Sequence, residues 1–197
     1  MATHVREVRD VSPLDAVARP LFEALHGEYA NRYADFLANT QESTKTELER
    51  YPAELFLPPE GAFLLIVEGN EVIGGGAFKR HDATTAELKR IWTRDDHRGR
   101  GIGSLVVSEL EARALRQGYQ RVYLTTGFRQ PEAVALYRRN RYEPLYDTSI
   151  APEIHFRLPF AKDLAQPGRV DTLADLRADG PLGLPHAESP VPAGAPN

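Results

Sequence analysis

The sequence predicts a mixed α/β domain in which the strands of one sheet are interrupted by two long helices. Residues 88–93 have the β-branched and aromatic composition of a strand. From Ile102 onward, apolar residues recur at the i, i+3, i+4 spacing of one helix face. A second helical segment opens at Pro131, a residue favoured in the first turn of a helix. Strands separated in this way favour a mixed sheet over a doubly wound one.

The amino-terminal part is predicted to hold one strand and a long helical region. Residues 5–9 alternate like a strand, and Ser12 followed by Pro13 is typical of a helix start, with the helix running to about Ala24. The region from there to Tyr51 is helical in composition but polar. Within it, aromatic residues at i, i+4, i+7 spacing predict core contacts. These residues are Tyr29, Tyr33 and Phe36.

A run of three glycines, residues 74–76, lies inside the predicted strand 72–80. Glycines in a strand interior usually mark a bulge or a close approach of another part of the chain. A second interpretation is a wall cleared of side chains to line a substrate tunnel.

The carboxy-terminal half is predicted to complete the sheet. Gln117 and Gly118 give a helix stop, and residues 121–126 form the fifth strand. Residues 143–146 and 153–158 are then expected to pair as a closing hairpin.

Beyond residue 160 the composition changes. Residues 170–178 have the pattern of one short helix, and residues 180–197 are rich in proline with too little apolar surface to order themselves. We therefore expect one folded domain over residues 1–160, a carboxy-terminal extension over 161–179 and a disordered tail over 180–197.

Composition excludes several classes of function. The chain has 197 residues, 42% hydrophobic residues and a formal net charge of −4, so the whole molecule offers no general attraction to nucleic acid or to an anionic membrane. It has no cysteine, which excludes disulfides, thiolate nucleophiles, zinc–thiolate sites and a covalent acetyl-cysteine intermediate. No metal is expected. Because no long apolar run and no signal-peptide core is evident, we expect a cytoplasmic location.

A glycine-rich turn is the strongest functional signal. Gly99, Gly101 and Gly103 alternate just before and within the start of the predicted helix, with Arg98 before the first glycine and Arg100 between the first two. The start of a helix is an anion site, because its backbone N–H groups lack partners and the peptide dipoles make it positive. The alternative is a tight turn whose glycines serve geometry alone.

Two familiar nucleotide motifs do not fit this turn. The dinucleotide fingerprint needs a sixth-position glycine where the chain has Ser104, and no acidic residue ends the next strand. The Walker motif also fails, because no Gly-Lys-Ser or Gly-Lys-Thr occurs.

The run 98–103, Arg-Gly-Arg-Gly-Ile-Gly, instead resembles the acetyl-CoA signature Arg/Gln-x-x-Gly-x-Gly/Ala of the GNAT N-acetyltransferase superfamily. Downstream, residues 133–142 resemble the family's A-x-x-L-Y-x-x-x-G-F/Y motif, although Arg141 stands in place of the glycine. Gln130 also replaces a frequent asparagine, and we expect it to cap the following helix less well. Arg141 predicts either a turn that avoids positive φ or a strained one.

This resemblance covers roughly residues 5–158 and implies a central, mostly antiparallel sheet flanked by helices, with strands splayed at the acetyl-CoA site. Acetyl-CoA would be the acetyl donor. Backbone N–H groups of the signature would hold its pyrophosphate, and the end of strand 86–93 would pair with the pantetheine amides. The implied cofactor-binding residues are Ile91, Trp92, Thr93, Arg98, Gly99, Arg100, Gly101, Ile102, Gly103, Ser104 and Gln130.

The resemblance also implies direct transfer to an amine in a ternary complex. Alkyl amines have a pKa of about 10.4, so a base or a water relay must remove a proton before attack. Glu87, early on the strand that leads to the signature, is the first candidate for the base, and Glu68 and Asp82 are weaker choices. Tyr137 matches the family's tyrosine and is expected to protonate the leaving CoA thiolate.

Two alternatives stay open at this point. Gln130 and Arg141 are compatible with a CoA-binding or regulatory module that has lost turnover, and an unrelated nucleotide-binding domain is disfavoured by Ser104. The acceptor is unidentified: a small amine, an amino acid, an antibiotic or a protein amino group, with a small molecule preferred. The oligomeric state, a homodimer included, is equally open.

Overall fold

The fold is described from a computed structural model, which covers residues 5–37, 51–155, 157–169 and 176. Predictions for residues 38–50, for the helix 170–178 apart from Leu176, and for the tail 180–197 lie outside these residues. The chain divides into two compact units, residues 1–122 and 123–197. The domain boundary that we expect at residue 160 stays a prediction.

The described residues contain seven strands and four α-helices, numbered here in chain order. The strands are β1 (Arg6–Asp10), β2 (Ala62–Glu68), β3 (Glu71–Arg80), β4 (Thr85–Thr93), β5 (Arg121–Gly127), β6 (Glu143–Pro144) and β7 (Arg157–Asp163). The helices are α1 (Arg19–Leu37), α2 (Ile102–Arg116), α3 (Pro131–Arg139) and α4 (Pro152–His155). The strands form one mixed α/β sheet in the order β1-β2-β3-β4-β5-β7-β6, which confirms the predicted fold class.

An antiparallel meander, β1 to β4, is the frame of the first unit. Val8 pairs with Ile66, Leu64 with Gly76 and Phe78 with Leu88. Strand β2 is buried along almost its whole length, whereas β1 ends the strand order and is charged at four of its five positions. The meander therefore has a buried centre and a polar first strand.

The three glycines of β3 allow helices to pack closely on both faces of this meander. A Cβ atom on Gly76 would lie 2.7 Å from Ile91 Cδ1 and 2.9 Å from Val106 Cγ1 of α2. A Cβ atom on Gly75 would lie 2.7 Å from Leu21 Cδ1 of α1 and 2.8 Å from the Leu64 carbonyl oxygen. Side chains of the two helices fill the space that a tunnel would need, so these glycines serve packing.

In the second unit, β6 pairs with β7 in antiparallel fashion, with Glu143 opposite Ala161. Tyr123, Leu145 and Ala161 are buried together, and Leu176 packs against them. The predicted hairpin therefore exists, but its second strand begins at Arg157. Residues 153–155 form part of the short helix α4, which follows a loop where Ser149 bonds to the Asp147 side chain.

The predicted helix start at Ser12 is displaced along the chain. The Ser12 N–H donates to the Asp15 carboxylate, and the Ser12 hydroxyl accepts from the Leu14 N–H. Asp15 itself is extended, so a 3₁₀ turn at Ala16–Ala18 precedes α1. The local bonds of Ser12 and Asp15 compete with helix formation and postpone it to Arg19.

Helix α1 carries part of the predicted aromatic stripe into the core. Tyr33 is buried and its ring lies 5.1 Å from that of Tyr29, which is about two-fifths exposed. The helix is kinked at Tyr33, and the Phe36 side chain lies outside the described set. None of the helices in the described part of the chain combines the length and apolar character needed to cross a bilayer.

Candidate active site

The glycine-rich turn connects β4 to α2 as predicted. A 3₁₀ turn, Asp95–His97, follows β4, and α2 begins at Ile102. Gly99 and Gly101 have φ of +74° and +80°, a left-handed backbone that favours glycine. A Cβ atom at either position would meet nothing within 4 Å, so conformation, not crowding, requires glycine here.

The start of α2 has the features of an anion site. The helix has 15 residues, Gly101 at its N-cap offers no side chain to its first N–H groups, and its first turn contains no acidic residue. The partial positive charge of this helix end is therefore not neutralised from within the helix. The open space around Gly99 and Gly101 lets a ligand reach the backbone.

The two arginines of the loop differ in their surroundings. Arg98 contacts Asp95 at 2.8 Å and Glu28 of α1 at 3.4 Å, so carboxylates already share its charge. Arg100 is exposed. The structure therefore makes Arg98 partly a tie between the loop and α1, a role that sequence spacing did not predict.

A buried histidine ties the same loop to β2. His97 Nδ1 lies 2.8 Å from Asp96 Oδ1, and His97 Nε2 lies 3.5 Å from Glu68 Oε2. Arg6 also contacts Glu68, at 3.1 Å. The hydrogen bond from Arg6, assisted by His97, lowers the pKa of Glu68. Partial desolvation would raise this pKa but is outweighed. Glu68, one of the weaker base choices, is thus committed to contacts with Arg6 and His97.

Asp82, the other weaker choice, is committed to a turn. Its Oδ1 accepts bonds from the Thr84 and Thr85 N–H groups at 2.8 Å and from the Thr84 hydroxyl. Burial raises the pKa of Asp82, but these bonds and the Arg121 charge outweigh it and the pKa is lowered. Asp82 therefore closes the β3–β4 hairpin.

Glu87 lies on β4 between two lysines. Its carboxylate oxygens lie 2.9 Å from Lys79 Nζ and 2.6 Å from Lys89 Nζ, and its side chain is about one-tenth exposed. Burial alone would raise the pKa of Glu87, but the charges of Lys89 and Lys79 outweigh it and hold the pKa below its ordinary value. Glu87 is therefore ionised, with its proton affinity reduced by the lysines.

The sequence did not predict that these two lysines contact Glu87. Lys79 lies on β3 with its Cα opposite that of Glu87, and Lys89 lies two residues beyond Glu87 on the same face of β4. Only the register of the β3–β4 hairpin brings the three side chains together. The sequence shows which residues of each strand share a face, but it does not show which residues of the two strands lie opposite each other.

The carboxyl end of β4 combines a bulge with a close contact to β3. The pairing shifts between Gly75 and Ala77, and Arg90, in the opposing stretch of β4, has φ of +59°. Beyond the bulge, Trp92 pairs with Gly75 and Thr93 with Gly74. The Trp92 side chain joins the core cluster with Phe22 of α1, and that of Ile91 lies near Gly76. The Trp92 side chain is thus in the core and that of Ile91 is partly buried, so a ligand would meet mainly the backbone.

Gln130 lies at the N-cap position of α3, but its side chain does not cap that helix. Gln130 Oε1 instead accepts bonds from the Gly127 N–H at 3.0 Å and the Thr126 hydroxyl at 2.9 Å. These bonds fix the end of β5. The expected capping role is therefore replaced by one at the preceding strand.

Tyr137 of α3 is buried among aromatic rings. Its ring centroid lies 5.7 Å from that of Tyr142 and 5.8 Å from that of Phe160. Burial raises the pKa of the Tyr137 hydroxyl, so it retains its proton throughout the neutral range.

Comparison with known proteins connects this geometry to a family. The model of the Acetyltransferase (GNAT) family matches residues 22–141, which include the glycine loop, Glu87 and Tyr137. The chain belongs to this family. This GNAT membership confirms the resemblance seen in the sequence and excludes the unrelated nucleotide-binding domain.

Individual relatives agree with this assignment. The GNAT chain is 35% identical over 69 residues to the uncharacterised N-acetyltransferase YsnE of Bacillus subtilis, a match covering 35% of the chain and 46% of the relative. It thus spans about half the length of that curated relative. A Klebsiella pneumoniae protein, provisionally named an acyl-CoA N-acyltransferase, has 25% identity and a TM-score of 0.61 over 81% of this chain and 98% of its own.

The fold alone is shared with a more distant solved structure. The PaiA N-acetyltransferase of Thermoplasma acidophilum, described in complex with coenzyme A, has 19% identity and a TM-score of 0.57. The alignment covers 81% of this GNAT chain and 99% of the archaeal one.

Proposed function

We propose that this GNAT protein is an acyltransferase that moves the acetyl group of acetyl-CoA directly to a primary amine in a ternary complex. The observation that carries the proposal is the loop at the start of α2. Gly99 and Gly101 have left-handed backbones there, and the space beside each Cα is open. The family match and the coenzyme A complex of the Thermoplasma protein support CoA as the ligand.

The residues of the first unit fit the long, anionic donor. Backbone N–H groups of residues 99–104 would hold the pyrophosphate beside Arg98 and Arg100, and the backbone of Ile91, Trp92 and Thr93 would pair with the pantetheine amides. Gln130, a residue of the second unit, is a further proposed cofactor-binding residue on the strength of the family resemblance.

When acetyl-CoA is bound, it supplies a thioester carbonyl, which the amine attacks to give an amide and free CoA thiol. Glu87 is the proposed base, acting directly or through water, and takes the proton that the attacking nitrogen loses. Tyr137 is the proposed acid: its buried hydroxyl is protonated before transfer and gives that proton to the departing sulfur.

A small-molecule amine is the proposed acceptor. The fold accommodates both departures that could favour an inactive module: Gln130 secures the end of β5, and Arg141 adopts a left-handed backbone, with φ of +65°. Neither observation therefore favours loss of turnover.

Isothermal titration with acetyl-CoA tests the site. The wild type is expected to bind, and Gly101→Glu is expected to abolish binding, because a carboxylate would stand in the anion site and the backbone would be strained. Gly118→Ala is the matched control, since Gly118 also has a left-handed backbone, with φ of +94°, but lies at the other end of α2. Absence of binding by the wild type, or equal binding by Gly101→Glu, would overturn the proposed site.

Tyr137→Phe tests the acid role. Turnover, measured as thiol release with an accepted amine, is expected to fall about 100-fold, because general acid catalysis typically contributes on that order. The affinity for acetyl-CoA is expected to stay within about twofold, since the ring and its packing are retained. Tyr142→Phe, which removes a hydroxyl from the adjacent ring, is the control. Unchanged turnover in Tyr137→Phe would exclude the acid assignment.

A further inference from the structure

Lys79 and Lys89, termed here the lysine pair, share a single carboxylate. Both ammonium groups contact Glu87, at 2.9 and 2.6 Å, and both lie over the ring of Tyr51, at 5.6 and 5.4 Å from its centroid. The two lysine side chains are about four-fifths buried. The two ammonium groups therefore share the Glu87 carboxylate and the Tyr51 ring as contacts.

The charge of this cluster does not balance. Within the part of the chain that the structure describes, Glu87 is the one carboxylate that contacts the lysine pair, which leaves a net charge of about +1. Burial would lower the pKa of Lys89, but Glu87 and Tyr51 outweigh it and raise the pKa, so Lys89 stays protonated. Tyr51 adds a side-chain hydrogen bond to Lys89 and an attractive ring face to both cations, whereas Glu87 is the carboxylate they share.

A largely buried surplus of positive charge is a strong anion attractor. Coulomb attraction is far larger in such surroundings than in bulk water, and a charge that is desolvated without a full partner is costly. A ligand that brings one negative charge would remove this cost, because its charge and that of Glu87 together would balance the two lysines.

We propose that the lysine pair binds an anionic group of the acceptor, so that the preferred substrate is a small primary amine that also carries a carboxylate or phosphate. This inference rests on the proposed acetyl transfer and names the substrate class for the same site. The acceptor anion would contact Lys79 Nζ and Lys89 Nζ, which places the acceptor beside Glu87.

Occupation of the lysine pair would also change Glu87. In the free protein the two ammonium groups hold the Glu87 pKa down, which makes it a weak base. A second anion on the same lysines competes for their charge and repels the Glu87 carboxylate, and both effects raise its pKa. The acceptor would thus increase the basicity of the group that removes its ammonium proton.

Matched pairs of acceptors test this proposal. The panel contains amines of two to six carbons that bear a carboxylate or the corresponding carboxamide, and aminoalkyl phosphates with the corresponding neutral alcohols. Thiol release in the presence of acetyl-CoA is measured for each. We expect kcat/KM to be at least about tenfold higher for the anionic member of a pair, because a charge-assisted bond to lysine contributes about that much or more. The two arms distinguish carboxylate from phosphate.

Lys79→Gln and Lys89→Gln assign the preference to the lysine pair. Each is expected to reduce the ratio of anionic to neutral kcat/KM about tenfold, mainly through a higher KM for the anionic amine. Lys162→Gln is the matched control, because Lys162 also lies over a tyrosine ring, 5.5 Å from that of Tyr142, but belongs to the second unit. It is expected to keep the wild-type ratio.

Acetyl-CoA titration of the same preparations separates this proposal from the proposed function. If the wild type does not bind acetyl-CoA, the proposed function fails. If acetyl-CoA binds and the wild type acetylates amines, but neutral amines are preferred or the lysine variants keep the wild-type ratio, the anion site is overturned and acetyl transfer is left standing. If acetyl-CoA binds but no amine of the panel is acetylated, both proposals are contradicted.

Discussion

Glu87 shows how far neighbouring charges decide what a carboxylate can do. Its place early on β4 is readable from the sequence, and by position alone it is a plausible base. The structure adds Lys79 and Lys89, whose ammonium groups lie within 3 Å of its oxygens. A carboxylate held in this way is a strong ion-pair partner and a weak base, so its catalytic value depends on what else binds the lysines.

Asp96 provides a test of electrostatics by pH. Bonds from Arg94 and then His97 lower the pKa of Asp96 from 3.8 to about 2. Because the folded-state pKa is depressed, Asp96 stabilises the fold fully above the unfolded-state pKa, and this stabilisation is lost as pH falls from about 5 towards 2. Asp96→Asn should therefore lower the melting temperature at pH 6 and flatten its fall between pH 5 and 2.

The control for this prediction is Asp95→Asn, since Asp95 is an adjacent, largely exposed carboxylate that contacts Arg98. It should leave the acid limb of the curve close to that of the wild type. Identical acid limbs for wild type and Asp96→Asn would contradict the assigned role of Asp96.

The ends of α2 and α3 share one geometry but differ in sequence. In α2, the Tyr119 N–H donates to the Ala114 carbonyl and the Gly118 N–H donates to the Leu115 carbonyl. In α3, the Tyr142 N–H donates to the Tyr137 carbonyl and the Arg141 N–H donates to the Arg138 carbonyl. Both are Schellman motifs, in which the residue after the cap is left-handed.

Arg141 therefore holds a position at which glycine is preferred. Its φ is +65°, and a left-handed backbone costs a residue with a Cβ atom about 1–2 kcal/mol. Arg141→Gly is expected to raise the free energy of unfolding by up to about 1 kcal/mol, since glycine relieves the strain but has more freedom when unfolded. Urea denaturation measures the change.

Gly118→Ala is the reverse experiment at the end of α2. A Cβ atom there would meet nothing within 4 Å, so backbone strain alone is expected to cost about 1–2 kcal/mol. A destabilised Arg141→Gly would show that the arginine side chain contributes more than the left-handed backbone costs.

At the scale of the whole molecule, stability depends on how closely helices approach the sheet. Gly75→Ala would place a Cβ atom 2.8 Å from the Leu64 carbonyl oxygen, which belongs to the adjacent strand and cannot rotate away. We expect a loss of about 1–3 kcal/mol, as for other overpacked cores, measured by thermal unfolding.

Gly27→Ala is the matched substitution on α1. No atom lies within 4 Å of the Cβ position, so alanine should stabilise the helix by about 0.5–1 kcal/mol. If the two variants were equally stable, packing against β3 would not be the reason for the glycine run.

The sequence predicted local features well and the distant ones poorly. The glycine turn, the start of α2 and the strands β3, β4 and β5 follow from short-range patterns, and the family resemblance adds Glu87 and Tyr137. The partners of Glu87 depend on hairpin register, the tie from Arg98 to Glu28 joins residues far apart in the chain, and the left-handed Arg141 contradicts residue preference. The first two are decided by tertiary contacts that no local pattern encodes, and the third by the hydrogen bonds that close the end of α3.

The charged first strand bears on how the protein behaves when it is concentrated. A strand at the end of a sheet can recruit a strand from a second molecule and start fibril-like growth. In β1, the alternation of Arg6, Glu7, Arg9 and Asp10 around Val8 makes such recruitment costly, because two ordered copies would have to desolvate rows of charge. The same residues that leave β1 poorly buried therefore act as a barrier to aggregation.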